Sequence, residues 1–197
     1  MSKPPLLSGW RALRAAETFR VATVSARPHP HMDRIVPIAE VAKGWPIWLT
    51  IAGGISLTGE EGRRTAGHAV ASAVTASLLG QVVKRGVQRS RPRRVPLPRP
   101  AARRRVTYSF PSGHAATGSA FAATVVLERG PIGVPLLGLA ALVGYTRVYG
   151  ALHFITDVIG GAMLGTGVAV GFWAVRRHRD RDEDRDRAPV DTSPASA

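Results

Sequence analysis

The chain has 197 residues, 27 Lys and Arg against 13 Asp and Glu, a formal net charge of +14 and no cysteine. The length fits one domain, and the missing cysteine excludes a disulfide framework and any Cys-ligated zinc or iron–sulfur site. An apolar content of 45% excludes a fully disordered chain. A pI near 11.6 leaves a nucleic-acid binder or a membrane-surface protein open, and a mean hydropathy of +0.02 averages over very uneven segments.

The N-terminal stretch 1–44 has no cleavable signal pattern, because Leu6 and Leu7 are followed by Ser, Gly, Trp and Arg instead of an apolar run. Residues 6–26 set Leu6, Trp10, Leu13 and Phe19 among Arg11, Arg14 and Arg20. They read as an amphipathic interfacial helix or as a disordered arm. Pro28, Pro30 and Pro37 interrupt residues 27–44, and His29 and His31 lie beside prolines without a third metal ligand.

Five apolar segments come next. They run over 46–58, 65–83, 113–127, 130–146 and 152–175, and each holds at most one formal charge. A bilayer core needs about 20 largely apolar residues, with a range of roughly 17 to 25. The last segment meets this easily, two meet it at the lower end, and 46–58 and 113–127 need flanking residues or burial among neighbours. A soluble bundle with very apolar core helices is the alternative, but five such segments leave too few polar faces for water. The spacing predicts an all-α fold: an integral-membrane bundle of about five transmembrane helices. Gly161-x-x-x-Gly165 and Gly167-x-x-x-Gly171 in the last segment have the small-residue spacing that lets membrane helices approach closely. The membrane-embedded domain is read as 45–175. Residues 176–187 hold six Arg and five acids, and 176–197 is read as a disordered charged tail.

The remaining charge is concentrated. Residues 84–105 hold ten Lys and Arg and no acid, and all but Lys84 are arginines. Arg grips phosphate bidentately where Lys offers a point charge, although a compositional preference for Arg across the chain explains the bias equally well. This basic loop joins the second apolar segment to the third, and Arg147–Ala151 joins the fourth to the fifth. If the two intervening segments each cross once, both loops emerge on one face. That face then gathers Lys84, Arg91, Ser112, His114, Arg147, His153 and Asp157. Ionisable residues at membrane depth are functional candidates by default.

Three motifs carry chemistry. In Lys84-Arg-Gly-Val-Gln-Arg-Ser-Arg91-Pro92, Lys84 and Arg91 are seven apart and would share a helix face until Pro92 stops the helix. They suit a dianion, or they are a positive flank of a membrane span. In Pro111-Ser112-Gly113-His114, Ser112 is a natural N-cap, and the free N–H groups of the first turn form an anion site. Gly113 permits close approach, and His114 is a candidate general acid or an interface histidine. In Arg147 to Asp157, His153 and Asp157 are four apart on one helical face. A carboxylate there would fix the imidazole tautomer and leave the other nitrogen as a nucleophile, or the two form a structural pair.

Together, Lys-x6-Arg-Pro, Pro-Ser-Gly-His and Arg-x5-His-x3-Asp resemble the three signature motifs of the type 2 phosphatidic acid phosphatase superfamily, over roughly residues 30–175. The resemblance implies an all-helical, metal-independent phosphatase that needs no cofactor and acts through a phosphohistidine on His153. Asp157 would orient His153, and His114 would protonate the leaving oxygen and then activate water. Lys84, Arg91, Arg147, Ser112 and the Gly113 backbone would bind the phosphoryl oxygens. Thr146 stands where the family usually has Ser, and His153-Phe-Ile-Thr-Asp157 lacks the usual proline of the third motif.

The expected substrate is a phosphorylated lipid: a polyprenyl phosphate or diphosphate, decaprenyl-phosphoryl phosphoribose, phosphatidylglycerol phosphate or phosphatidate. The alternatives are a vanadate-dependent haloperoxidase and a non-enzymatic basic protein of the membrane surface or of nucleic acid. The basic loop, however, lacks the aromatic interleaving of single-strand binders. Membrane lipids are expected partners, nucleic acid is not, and a homo-oligomer stays open. The expected location is the bacterial cell membrane. The positive-inside rule puts the active-site face in the cytoplasm, because that face carries both the N-terminal arm and the basic loop.

Overall fold

The structure is a computed structural model and describes residues 15–24, 34, 44–92 and 108–187. Among these residues the regular elements are helical and no strand occurs. Helix α1, 15–24, falls within the stretch read as an amphipathic arm, whose Leu6, Trp10 and Leu13 lie outside the described residues. Its Val21 is fully buried against Val148, Ala151 and Phe154, so this face of the helix docks on protein.

Helix α2 is Trp45–Ser56, with Pro46 in its first turn, where a missing N–H costs nothing. Helix α3, Glu60–Val87, starts after Gly59 at φ 103°. Glu60 and Glu61 in its first turn and Lys84 and Arg85 in its last match the helix dipole at both ends. Helix α4 is Gly113–Arg129, a 3-10 turn follows over Gly130–Gly133, and helix α5 is Val134–Tyr149. Gly130 at φ 63° opens the turn, and α5 folds back along α4. A Cβ on Gly133 would meet the Val126 nitrogen at 2.7 Å. Helix α6 is Ile155–Arg187.

The centre of the bundle is α4. Its buried residues include Ala115, Ala116, Ala120, Phe121, Ala122 and Val125, on more than one face, because α3, α5 and α6 all pack against it. The small side chains are what allow this. A Cβ on Gly118 would lie 2.9 Å from the Trp48 ring, and Trp48 itself packs on Phe121 with ring centroids 5.2 Å apart. Along the α4–α6 seam, a Cβ on Gly161 would collide with the Ser112 carbonyl oxygen, and one on Gly165 would collide with that of Ala116. This first Gly-x-x-x-Gly pair is the contact seam. Gly167 and Gly171 have open space where a Cβ would go, so the second pair is not.

Among the described residues three helical stretches are long and apolar enough to cross a membrane: Glu60–Val87, Gly113–Tyr149 and Ile155–Glu183. The second contains the fold-back, so its legs of 17 and 16 residues each reach about 25 Å. Large apolar side chains point outward along these helices, among them Leu78, Val82, Ile159, Met163 and Val170. An inside packed with alanine and an outside lined with leucine, valine and methionine suits a lipid surround.

The sequence reading is corrected at two points of the fold. Of the tail 176–197, read as disordered, residues 188–197 lie outside the described residues, and the stretch 176–187 is helical. Mixed charges at helical spacing sustain it, with His178 and Arg185 both beside Asp182. At the other correction, α3 ends at Val87 and not at Pro92. Gln88 adopts the left-handed conformation at φ 50° and turns the chain out of the helix.

Candidate active site

That early turn decides how the first motif reaches the site. Lys84 stays on the last turn of α3, whereas Arg89 and Arg91 lie on the non-helical segment beyond it. The segment is held by Ser109, whose N–H donates to the Arg89 carbonyl at 2.8 Å and whose hydroxyl donates to it at 3.1 Å. Lys84 and Arg91 therefore approach the same place by different routes, not along one helical face. Arg91 Nη1 donates to the Leu152 carbonyl at 2.7 Å and lies 3.1 Å from His153 Nε2.

The second motif opens α4 as expected, with a difference at its cap. Ser112 occupies the N-cap position, but its hydroxyl makes no capping bond. Ser112 is fully buried, and its Oγ has no hydrogen-bond partner among the described residues. A buried hydroxyl left unpaired is costly unless a ligand completes it. The Ser112 N–H is committed, donating to the Asp157 carbonyl at 2.8 Å. A Cβ on Gly113 would lie 3.4 Å from Lys84 Nζ, which places the ammonium over the open backbone of this first turn. His114, next along the chain, is half-buried on the same turn.

Helix α5 ends by delivering Arg147, which is 2% exposed. Its guanidinium donates to Thr146 Oγ1 at 3.0 Å, so the threonine in place of the family's usual serine keeps a hydroxyl there. The Arg147 carbonyl accepts the N–H groups of Leu152 and His153, which closes the short connection and aims His153.

At the start of α6, Asp157 is fully buried and its two oxygens have separate duties. Oδ2 accepts the Phe154 N–H at 2.9 Å, the reach-back of a third-position acid to the N-cap backbone. The same oxygen lies 3.5 Å from His153 Nδ1, longer than a full hydrogen bond. Oδ1 accepts from Arg89 Nη1 at 2.8 Å. One carboxylate thus caps the helix, faces the histidine and holds an arginine.

The state of His153 is set by its neighbours. Arg91 can only donate, so Nε2 is the acceptor and carries the lone pair, and the proton sits on Nδ1 toward Asp157. Burial pushes the His153 pKa below the ordinary histidine range. Asp157 opposes this, and the charges of Arg91 and Lys84 add to it. The result is a neutral imidazole whose lone pair faces cations. Such an array can bind a phosphoryl group and attack it.

The structure brings together Lys84, Arg91, Ser112, Gly113, Arg147, His153 and Asp157, and sets His114 next to Gly113 on the first turn of α4. It adds three residues that the sequence reading did not single out. Arg89 donates to Asp157 and also to Thr156 Oγ1 at 2.7 Å, and its guanidinium lies 4.4 Å from the centre of the Phe154 ring. Glu17 of α1 pairs with Arg89 and accepts from the Thr156 hydroxyl. For Arg89 there was a signal, since residues two apart on an extended segment share a side and Arg91 was already chosen. For Glu17 there was none.

The model of the PAP2 superfamily matches residues 65–181 of this chain. An undecaprenyl-diphosphatase of Sulfolobus acidocaldarius is 39% identical over 103 residues, covering 51% of this chain and 50% of that protein. Phosphatidylglycerophosphatase B of Bacillus subtilis is 33% identical over 102 residues, covering 46% and 48%. The chain thus spans about half the length of either relative. Among solved structures, the transmembrane PAP2-type phosphatidylglycerolphosphate phosphatase of Bacillus subtilis superposes with a TM-score of 0.66. Its identity is 22%, over 85% of this chain and 87% of that one. LpxE of Aquifex aeolicus gives a TM-score of 0.61 at 20% identity, over 77% and 91%. These two share the fold.

Proposed function

The chain belongs to the PAP2 superfamily, and from that premise we propose that it is an integral-membrane phosphatase of phosphorylated lipids that works through a phosphohistidine. The observation that carries the reading is the disposition of His153: neutral, buried, its Nε2 lone pair turned to Arg91, its other nitrogen turned to Asp157. Three cations, Lys84, Arg91 and Arg147, would neutralise the phosphoryl oxygens, with the unpaired Ser112 hydroxyl and the first-turn backbone at Gly113 as neutral donors. Nε2 attacks phosphorus while the bond to the leaving oxygen breaks, and His114 gives that oxygen a proton. In the second step His114 takes a proton from water, the hydroxide attacks the phosphohistidine, and phosphate leaves with Nε2 restored. Fixed cations supply the charge stabilisation, so the scheme calls for no metal.

The substrate class is a lipid phosphomonoester or diphosphate. Undecaprenyl diphosphate and phosphatidylglycerol phosphate head the candidates, because two relatives are named for activities on such lipids. Decaprenyl-phosphoryl phosphoribose and phosphatidate come after them. The five apolar helices would form the embedded part, α1 would belong to an arm at the membrane surface, and the site would open on the cytoplasmic side of a bacterial cell membrane. Three cations of the basic loop, the buried Arg89 and the half-buried Lys84 and Arg91, have partners or neighbours within the site, which favours a role there over a nucleic-acid surface for these three.

The test is phosphate release from a panel of these lipids by the purified protein and its His153→Ala variant. Wild type is expected to release phosphate from at least one lipid, and the variant from none. Release by the variant would overturn the reading.

A further inference from the structure

We propose that Glu17 and Arg89 are positioning residues of this site, a buried pair that sets the charge of Asp157 as His153 experiences it; the proposal rests on the reading of His153 as nucleophile. The three side chains form a line: Glu17 pairs with Arg89, and Arg89 Nη1 donates to Asp157 Oδ1 at 2.8 Å. None is reached by solvent to any extent, with Glu17 4%, Arg89 6% and Asp157 0% exposed. Thr156 Oγ1 bridges the pair, accepting from Arg89 and donating to Glu17.

The charges decide the purpose. Asp157 with Arg89 alone would be neutral, and a neutralised carboxylate would do little for a histidine that becomes positive when it takes up a phosphoryl group. Glu17 offsets Arg89, so the line as a whole carries one negative charge. That charge is presented through Oδ2, which lies 3.5 Å from His153 Nδ1. In such a buried setting the field is screened little, and its sign matters more than it would in water. Arg89 meanwhile fixes the carboxylate from the side away from the histidine, as partners behind a catalytic or metal-binding group commonly do. Glu17 lies outside the segment 65–181 that the family model matches, so this part of the device belongs to the N-terminal helix of this chain.

The experiment uses the full-length protein in detergent with undecaprenyl diphosphate and phosphatidylglycerol phosphate as probes. It measures kcat and KM for Glu17→Gln, Glu17→Asp, Arg89→Met and the double variant Glu17→Gln/Arg89→Met, with His153→Ala alongside. Glu17→Gln is expected to lower kcat about 10- to 100-fold with KM within about twofold, on the scale of lost outer-shell partners. Glu17→Asp keeps the charge and should recover most of the rate. The double variant again leaves one negative charge at Asp157 and should exceed Glu17→Gln severalfold, although it has lost both partners. A purely structural role predicts the opposite order, with the double variant the worst, and that order would overturn the proposal. Wild-type kcat in Glu17→Gln would also overturn it, while an inactive His153→Ala in the same series would leave the phosphohistidine reading standing.

Discussion

Arg91 Nη1 lies 3.1 Å from His153 Nε2, so a cation sits on the nitrogen that would attack in the proposed mechanism. The contact adds to the burial that keeps the imidazole neutral, and in the proposed mechanism it marks where a phosphoryl oxygen would draw the guanidinium. A nucleophilic His153 must be unprotonated in the free enzyme. Its pKa is below the ordinary 6.5, chiefly through burial and then through the cations. The rate should therefore hold as pH falls through 6.5 and drop only in more acid solution. Arg91→Met removes one of the cations that lower this pKa, so the acid limb of kcat/KM should move to higher pH, and kcat/KM at neutral pH should fall about 100-fold or more. A pH profile of wild type and variant on one lipid reads both effects. An acid limb that moves the other way would count against the assignment.

Asp157→Asn should separate chemistry from folding. The amide oxygen can still accept the Phe154 N–H and keep the cap of α6, but the amide nitrogen is a donor and then loses the bond that Oδ1 accepts from Arg89. The charge facing His153 Nδ1 is lost, and Arg89 is then balanced by Glu17 alone. We expect kcat to fall about 10³- to 10⁴-fold, the scale seen when the carboxylate behind a catalytic histidine becomes an amide. Thermal unfolding in detergent should come several degrees earlier through the lost Arg89 contact, while the protein stays folded at assay temperature. A large loss of stability with modest loss of rate would make Asp157 a structural residue.

Ser112→Ala should do the reverse of most active-site changes to stability. The Ser112 hydroxyl is fully buried and has no partner among the described residues, so removing it discards an unsatisfied group and leaves the fold intact or slightly more stable. If the hydroxyl meets a phosphoryl oxygen, activity should fall about 10- to 100-fold, at the lower end of what one lost oxyanion donor costs. Parallel melting curves and kinetics check the divergence. A variant with full activity would show that the hydroxyl has no part in binding phosphate.

Much of this site was legible in the chain, and the reasons are local. His153 and Asp157 are four apart across a helix start, Ser112 to His114 are consecutive, and Lys84 and Arg91 flank one turn. Spacing along the chain therefore stood in for distance in space. Parity of the apolar segments then predicted that the three groups meet, and the 2.8 Å bond from the Ser112 N–H to the Asp157 carbonyl is where two of them do. What spacing could not supply was the pairing of Glu17 with a residue 72 positions away. Nor could it show that α3 stops at Val87, since that rests on a left-handed Gln88 that no glycine announces. The fold was legible as all-helical because its apolar segments are long and nearly uncharged. Which glycines are seams was not, because Gly161 and Gly167 look alike until the neighbouring helix is in place.

Gly161→Ala and Gly167→Ala test that difference. A methyl on Gly161 would press against the Ser112 carbonyl oxygen, and backbone cannot step aside without moving α4 against α6 just where the two motifs join. Such overpacking costs about 1–3 kcal/mol, and the shift should also reduce activity strongly. At Gly167 nothing lies within 4 Å of the added methyl. Alanine there should be neutral, or stabilising by up to about 1 kcal/mol through helix propensity. Equal tolerance at both positions would contradict the seam.

The orientation in the membrane is open to a direct measurement, because the chain has no cysteine to remove. Two facts pull apart. Residues 1–44 hold seven Lys and Arg and residues 84–105 hold ten, and if the arm and the loop both lie at the site end, as the sequence reading expects, the positive-inside rule assigns that end to the cytoplasm. Several of those cations, Arg89 and Arg91 above all, point inward to His153 and Asp157. They belong to the site as much as to any insertion signal. The remaining surplus still favours the cytoplasm, so single cysteines at Ser90 and Arg179, both exposed, should behave differently. If α4, α5 and α6 each cross the membrane, the two positions lie on opposite sides. In intact cells a membrane-impermeant maleimide should then label Arg179→Cys and spare Ser90→Cys, and opening the cells should expose both. Labelling of Ser90→Cys in intact cells would put the site on the outer face, and labelling of both or neither would break the count of crossings.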